Sequence, residues 1–263
     1  MMTDGILLIG YGTRKGNLLE VLNSQAARIA AATQYEVGIG CFRVSNPTIM
    51  EGIEGLISKG VDRIAAVPYF VADGTITHEL IPAKMGLDPH VYLGEVKTPS
   101  GEAKVYITRS FNFDNVITDI LCDKIQKAGG SRRSGVIILG HGTRDPTLLN
   151  REVIAKNAER LFCRGYEHTT FAFNEFCEPT IKDAIGKLVS QGVDEIVCIP
   201  LFIAMGLHLG DEIPEQIGIP PFSEGGEITF EGKKIKIMYA RPLEDDPRLA
   251  ELAISKAEEY LGE

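Results

Sequence analysis

The chain has few cysteines, no long apolar run and no surplus of positive charge, and each shortage argues against a class of protein. Its five cysteines, Cys41, Cys122, Cys163, Cys177 and Cys198, are odd in number, and no two stand at CxxC spacing. That pattern argues against a disulfide framework, a structural zinc site and an iron–sulfur cluster, and makes a reducing cytoplasm the expected compartment. The longest apolar stretches, such as Ile137–Leu139 and Ile196–Ile203, are strand-sized. A bilayer span needs about 20 apolar residues, so no membrane association is expected. The N-terminus lacks a charged region followed by a long apolar run, so no signal peptide is expected either. A net charge of −9 argues against nucleic acid as the main partner, because phosphate binding needs a basic face. It leaves room for a small anionic ligand held by a few arginines. Walker A, Gly-x-Ser-x-Gly and Rossmann glycine signatures are missing too, which weakens the case for phosphoryl- or acyl-transfer chemistry.

What is present is ordinary for a globular protein: 44% hydrophobic and 24% charged residues over a length of 263. That length suits one large or two medium domains, each with a real core. The 28 glycines and 13 prolines are dispersed and form no low-complexity tract.

The dominant feature is an internal repeat. Gly5-Ile-Leu-Leu-Ile-Gly-Tyr-Gly-Thr-Arg14 returns as Gly135-Val-Ile-Ile-Leu-Gly-His-Gly-Thr-Arg144. Pro47-Thr48-Ile49 returns as Pro179-Thr180-Ile181, Pro68-Tyr69-Phe70 as Pro200-Leu201-Phe202, and Ile81-Pro82 as Ile213-Pro214. Arg109 matches Arg241, and Asp114 matches Asp246. The glycine- and serine-rich stretch 128–135 joins the copies, so domains of 1–130 and 131–263 are expected.

In the second copy Gly135–Gly140 reads as a fully buried strand, and Thr147–Arg164 has helical spacing. His168–Phe176 is a second strand. A helix opens at Glu178-Pro179-Thr180, with Pro179 at the first helical position, and ends near Gly192. Glu195–Phe202 is the third strand and His208–Gly218 is helical. Glu227–Tyr239 reads as a hairpin turning at Glu231-Gly232, and Pro247–Leu261 as the closing helix. Alternating strands and helices predict an α/β fold: two tandem homologous domains, each a mainly parallel sheet flanked by helices.

Ligands of open parallel sheets bind beyond the carboxyl ends of the strands. In the second copy those ends carry His141, Glu175, His208 and Arg241. Two neutral imidazoles and a carboxylate suit a borderline divalent metal and leave coordination positions open. Gly140 and Gly142 flank His141 and allow another molecule close to the backbone. Arg144, Arg241, Arg14 and Arg109 are the candidate anion-binding residues. His168, at the other end of its strand, reads as structural; Glu178 reads as a helix-start residue, and its counterpart Asn46 as a helix cap.

Gly-His-Gly-Thr-Arg after the first strand, Phe-Asn-Glu before Glu-Pro-Thr, and Pro-Leu-Phe-(x)5-His-(x)3-Glu-Ile-Pro together resemble the sirohydrochlorin chelatases, the class II tetrapyrrole metal chelatases. The likeness covers essentially the whole chain, in the long, two-copy form. It implies two α/β domains facing one cleft. It also implies insertion of a divalent metal, Co2+ first and Ni2+ or Fe2+ otherwise, into sirohydrochlorin for cobalamin, siroheme or coenzyme F430 synthesis, without an organic cofactor. By that resemblance His141, Glu175 and His208 are the metal-binding and catalytic residues. Tyr11, Arg43 and Ile76 occupy the three matching positions of the first copy, so its metal site is degenerate, although His78 stands two residues beyond Ile76. A non-catalytic tetrapyrrole or metal carrier is the competing reading.

Overall fold

A computed structural model describes residues 3–145 and 149–262. The first copy runs β1 (Asp4–Gly10), α1 (Leu18–Ala32), β2 (Glu36–Cys41), α2 (Ile49–Ile57), β3 (Arg63–Pro68), α3 (Ile81–Lys84), β4 (Leu93–Thr98), β5 (Gly101–Ile107) and α4 (Asn115–Lys127). The second repeats the order: β6 (Gly135–Gly140), α5 (Asn150–Cys163), β7 (Thr169–Phe173), α6 (Ile181–Ser190), β8 (Glu195–Pro200), α7 (Ile213–Ile217), β9 (Gly225–Phe230), β10 (Lys233–Tyr239) and α8 (Pro247–Leu261). Short π-helical segments, Ile76–Leu80 and His208–Glu212, lead into α3 and α7. Each copy contributes one five-stranded sheet, ordered β2-β1-β3-β5-β4 and β7-β6-β8-β10-β9. All neighbours are parallel except the edge strands β4 and β9, which return antiparallel as hairpins. Among the described residues no helix is long and apolar enough to cross a membrane.

Parallel strands joined through helices are covered on both faces, which is why the central strands carry no alternation. Every residue of β6 is buried, and Ile6 through Ile9 of β1 are fully so. Each such Leu or Ile contributes about 1.5–3 kcal/mol by leaving water. In the second sheet Ile137 and Leu139 pack with Ile181, Ile185 and Leu188 of α6 and with Ile213 and Ile217 of α7. In the first, Leu7 and Ile9 meet Ile49, Ile53 and Leu56 of α2.

The helix starts correct two local expectations. Pro179 is not the first helical residue: Thr180 is the N-cap of α6, in a capping box with Asp183. Likewise Thr48, not Asn46, caps α2, with Glu51 closing the box. In both, the hydroxyl of a slightly later Thr accepts from an otherwise unpaired backbone N–H. The expected helix from Thr147 is described from Asn150 onward; Thr147 and Leu148 lie outside the described residues.

Compact units cut the chain differently from the repeats. One comprises residues 3–112 together with 245–262, the other residues 113–244. The closing helix of each copy therefore belongs to the other copy's sheet. In the first unit α8 packs on α1 and β3: Gln25 of α1 donates to the carbonyl of Asp246 at 2.9 Å, and Tyr260 stacks on Tyr106 of β5. In the second, α4 packs on α5 and β8, and the buried Thr118 hydroxyl donates to the equally buried Asn157.

Candidate metal centre

His141 follows β6 directly, and Glu175 stands two residues beyond the neighbouring strand β7. The parallel ladder continues past the formal strand ends and joins them: Asn174 N–H donates to the carbonyl of Gly140 at 2.9 Å, and Glu175 N–H to that of His141 at 3.1 Å. Gly142 makes this approach possible. Its φ is +92°, and a Cβ there would fall 1.8 Å from the Glu175 carbonyl oxygen, a position no side chain can occupy. Cys177 completes the clasp: its thiol accepts from Thr143 N–H at 3.2 Å and donates to the Thr143 carbonyl at 2.9 Å. The carboxylate of Glu175 then lies 3.4 Å from His141 Nε2.

His208 arrives from beyond β8, as the first residue of the π-helical segment. Pro214 lacks an N–H and cannot close an ordinary helical bond there; Ile213 N–H instead bonds the His208 carbonyl, one residue wider. The buried Tyr239 hydroxyl pins the same segment through the Leu209 carbonyl at 2.9 Å. The His208 ring stands nearly perpendicular to that of His141, centroids 5.1 Å apart. One donor atom each from His141, Glu175 and His208 lies within 4.8 Å of the others, and all three side chains are half-buried. Among the described residues this is the one such group of three.

The second nitrogen of each imidazole is taken. His141 Nδ1 faces the Gly142 carbonyl at 3.2 Å. His208 Nδ1 faces a Glu212 carboxylate oxygen at 2.5 Å. A carbonyl and a carboxylate both accept, so a hydrogen on Nδ1 of each ring satisfies them and leaves Nε2, which in His141 faces the Glu175 carboxylate, as the nitrogen that could bind a metal. Glu212 stands in the His-(x)3-Glu-Ile-Pro motif, but was given no role of its own from sequence. Its signal was available: it stands four residues after His208, where the first copy has Leu80, so it disappears together with the histidine. Phe176 was missed. It is half-exposed, has φ +64°, and lies beside His141 with the Arg144 guanidinium 4.5 Å above its ring.

The other candidates are distributed as follows. Arg144 is exposed at the edge of the site. Arg241 is held by Glu244 through two hydrogen bonds of 2.9 and 2.6 Å, and this partner holds its pKa above the usual arginine value. Gly140 is buried; a Cβ on it would press on Ile154. Arg14 and Arg109 lie in the first unit. His168 sits at the opposite end of the second sheet, hydrogen-bonded to Gln191.

The first unit keeps the clasp and loses the donors. Phe42 N–H bonds Gly10, Arg43 N–H bonds Tyr11, and a Cβ on Gly12 would fall 1.7 Å from the Arg43 carbonyl oxygen. Ser45 takes the place of Cys177, bridging to both the N–H and the carbonyl of Thr13. The side chains there are Tyr11, Arg43 and Ile76.

Two tandem α/β units, the second with a His–Glu–His group at its strand ends, define a class: a duplicated scaffold in which one copy carries three donor side chains that could hold a metal ion. The sequence profile of the CbiX family matches residues 5–128 and again 135–260. The chain belongs to that family. A relative from Methanopyrus kandleri, a sirohydrochlorin cobaltochelatase, is 37% identical over 49% of this chain and 97% of its own length. Another of that name, from Methanococcoides burtonii, is 31% identical over 50% of this chain and 99% of its own. Such relatives are one copy long. In fold, the chain resembles SirB from Bacillus subtilis with Fe3+ (TM-score 0.74, 16% identity, 98% of this chain and 95% of that one). It also resembles the sirohydrochlorin chelatase SirB from the subspecies spizizenii in complex with cobalt (TM-score 0.71, 14% identity, 100% and 98%).

Proposed function

We propose that this chain inserts a divalent metal into sirohydrochlorin, with Co2+ as the first choice and Ni2+ or Fe2+ as alternatives, using the site of the second copy. The observation that carries the reading is the joint placement of His141, Glu175 and His208, one donor atom of each within 4.8 Å of the others. Membership of the CbiX family and the names of the single-copy relatives support the substrate and the preference for cobalt.

Metallation exchanges two pyrrole protons for one M2+. The metal is a substrate here, and no organic cofactor is needed. His141, Glu175 and His208 hold the ion on one side, leaving its other positions for the macrocycle nitrogens. As those bonds form, the protein donors are released one after another, and Glu175 and His141 become the bases nearest the departing protons. Phe176 offers an apolar face beside His141 for a flat conjugated ring. Arg144 above it is placed for a substrate carboxylate, better than Arg241, whose fork Glu244 already fills. Five cysteines without a disulfide fit a reducing cytoplasm.

The test is an anaerobic insertion assay, followed by absorbance, with sirohydrochlorin and Co2+, Ni2+ or Fe2+ in parallel. Many equivalents of product per chain are expected. Rates equal to the uncatalysed ones with all three metals defeat the reading, and one equivalent per chain identifies a carrier.

A further inference from the structure

We propose that Arg109, His78 and His90 form a carboxylate-binding site in the first unit, at the carboxyl ends of its strands. The proposal rests on the reading of the substrate as a polycarboxylated macrocycle.

The case starts from matched positions. Across the repeat, Arg109 corresponds to Arg241, Asn112 to Glu244, Asp73 to Met205, His78 to Gly210 and His90 to Phe222. In the second unit this place is closed. Glu244 occupies the Arg241 fork, and the Phe222 ring lies so near Gly210 that a Cβ there would be 2.2 Å from it. Arg241 is thus already paired, and an apolar ring stands where the first unit has His90.

The first unit differs at each of these positions. Asn112 supplies no charge to Arg109. The only carboxylate within reach of the Arg109 side chain, among the described residues, is that of Asp73, at 3.5 Å from one guanidinium nitrogen. Asp73 is 1% exposed, and its oxygens already accept from Ser110 N–H at 2.9 Å and the Asn112 amide at 2.8 Å. Arg109 thus stays 59% exposed, its guanidinium 5.1 Å from the centroid of the Tyr92 ring. Tyr92 also fixes the neighbouring imidazole: its hydroxyl is 2.7 Å from His78 Nδ1, and Arg109 is 3.4 Å from the same nitrogen. A guanidinium can only donate, so Nδ1 accepts, the Tyr92 hydroxyl donates to it and the His78 hydrogen is on Nε2. His90 is held alongside, its N–H bonded to the His78 carbonyl at 2.7 Å and its ring stacked at 5.8 Å. Glu79 is the nearest anion to it, 3.9 Å from Nε2.

The result is a set of donors with a buried carboxylate beneath them and no fork-filling partner above. A fork and two imidazole N–H groups match a carboxylate, which accepts through two oxygens.

The experiment compares Arg109→Gln, His78→Gln and His90→Gln with Lys59→Gln, which removes a charge at the amino end of the same sheet. Binding of metal-free sirohydrochlorin is measured by fluorescence, KM and kcat by absorbance, and Co2+ affinity by calorimetry. Loss of a charge-assisted hydrogen bond should raise Kd and KM about 10-fold or more for Arg109→Gln, with kcat and Co2+ affinity within about twofold of the parent. His78→Gln and His90→Gln should raise KM to a smaller extent, and Lys59→Gln should not. Unchanged KM in Arg109→Gln, or equal effects in Arg109→Gln and Lys59→Gln, would overturn the proposal. A separate arm titrates the unaltered chain with butane-1,2,3,4-tetracarboxylate and follows the histidine imidazole resonances. Shifts of His78 and His90 that vanish in Arg109→Gln support the site even if no metallation is found; their absence rejects it even if metallation is found.

Discussion

Glu212 tests whether a carboxylate behind a histidine, rather than the histidine alone, makes the site. Its side chain and that of His208 are 49% and 43% exposed, so as an ion pair the two contribute at most about 1 kcal/mol to stability. Their effect on the metal should be larger. The 2.5 Å contact places the hydrogen on Nδ1, orients the ring and strengthens Nε2 as a donor. Removing such a partner typically costs 10–100-fold in metal affinity, or about 1.4–2.7 kcal/mol. Glu212→Leu installs the residue that the first copy carries at Leu80. We expect Co2+ affinity to fall by about 10–100-fold and the thermal midpoint to move little. Glu212→Gln, which keeps an acceptor without charge, should lie between. Calorimetric titration of the tetrapyrrole-free chain with Co2+ provides the measurement, and thermal unfolding provides the control. Should Glu212→Leu bind Co2+ within twofold of the parent, the orienting role is wrong, and the contact is an ordinary surface ion pair.

The remaining expectations concern the asymmetry between copies and the scaffold. His141→Ala and His208→Ala should each lower the insertion rate by about 10²-fold or more, whereas Tyr11→Phe and Ile76→Ala should cost far less; abolished activity in Tyr11→Phe with intact activity in His141→Ala moves the site to the first copy. Gly142→Ala should separate His141 from Glu175, because its Cβ would overlap the Glu175 carbonyl; Co2+ binding is then lost while the far-ultraviolet circular dichroism is kept, and unaltered binding refutes the clasp. Burial raises the Asp73 pKa, but the hydrogen bonds from Asn112 and Ser110 and the nearby His78 outweigh it and leave the group below its usual value. Its stabilisation is therefore fully present above about pH 4, the unfolded value, and is lost as pH falls through the lower folded value. The stability gap between the parent and Asp73→Asn, read from denaturant unfolding, should shrink below about pH 4; a gap that does not change with pH contradicts this assignment.

Much of this site was legible because duplication supplies its own comparison. Gly12 and Gly142 agree between copies because the clasp needs them, and Gly10 and Gly140 because a Cβ there would press on Leu22 or Ile154 of the covering helix. Tyr11 with His141, Arg43 with Glu175 and Ile76 with His208 differ, and differences on an unchanged scaffold point to chemistry. The positions of the helix caps were less legible. Pro179 and Asn46 are each good starting residues, yet Thr180 and Thr48 take the role, because each has an acidic residue three positions on to complete the box.

By itself the sequence determined the repeat, the two parallel sheets and the gathering of His141, Glu175 and His208. These rest on local rules: apolar runs bury as central strands, and in an α/β sheet every parallel strand ends on the same edge. Tertiary structure alone decided which sheet each closing helix covers. The apolar faces of α4 and α8 fit either copy by pattern, and packing against Asn157 in one case and Gln25 in the other selects the partner. It decided, too, that Arg241 is bound by Glu244 while Arg109 is left open. Residues of the same type, at the same place in the repeat, differ in availability because a carboxylate stands beside one and lies buried and hydrogen-bonded beneath the other.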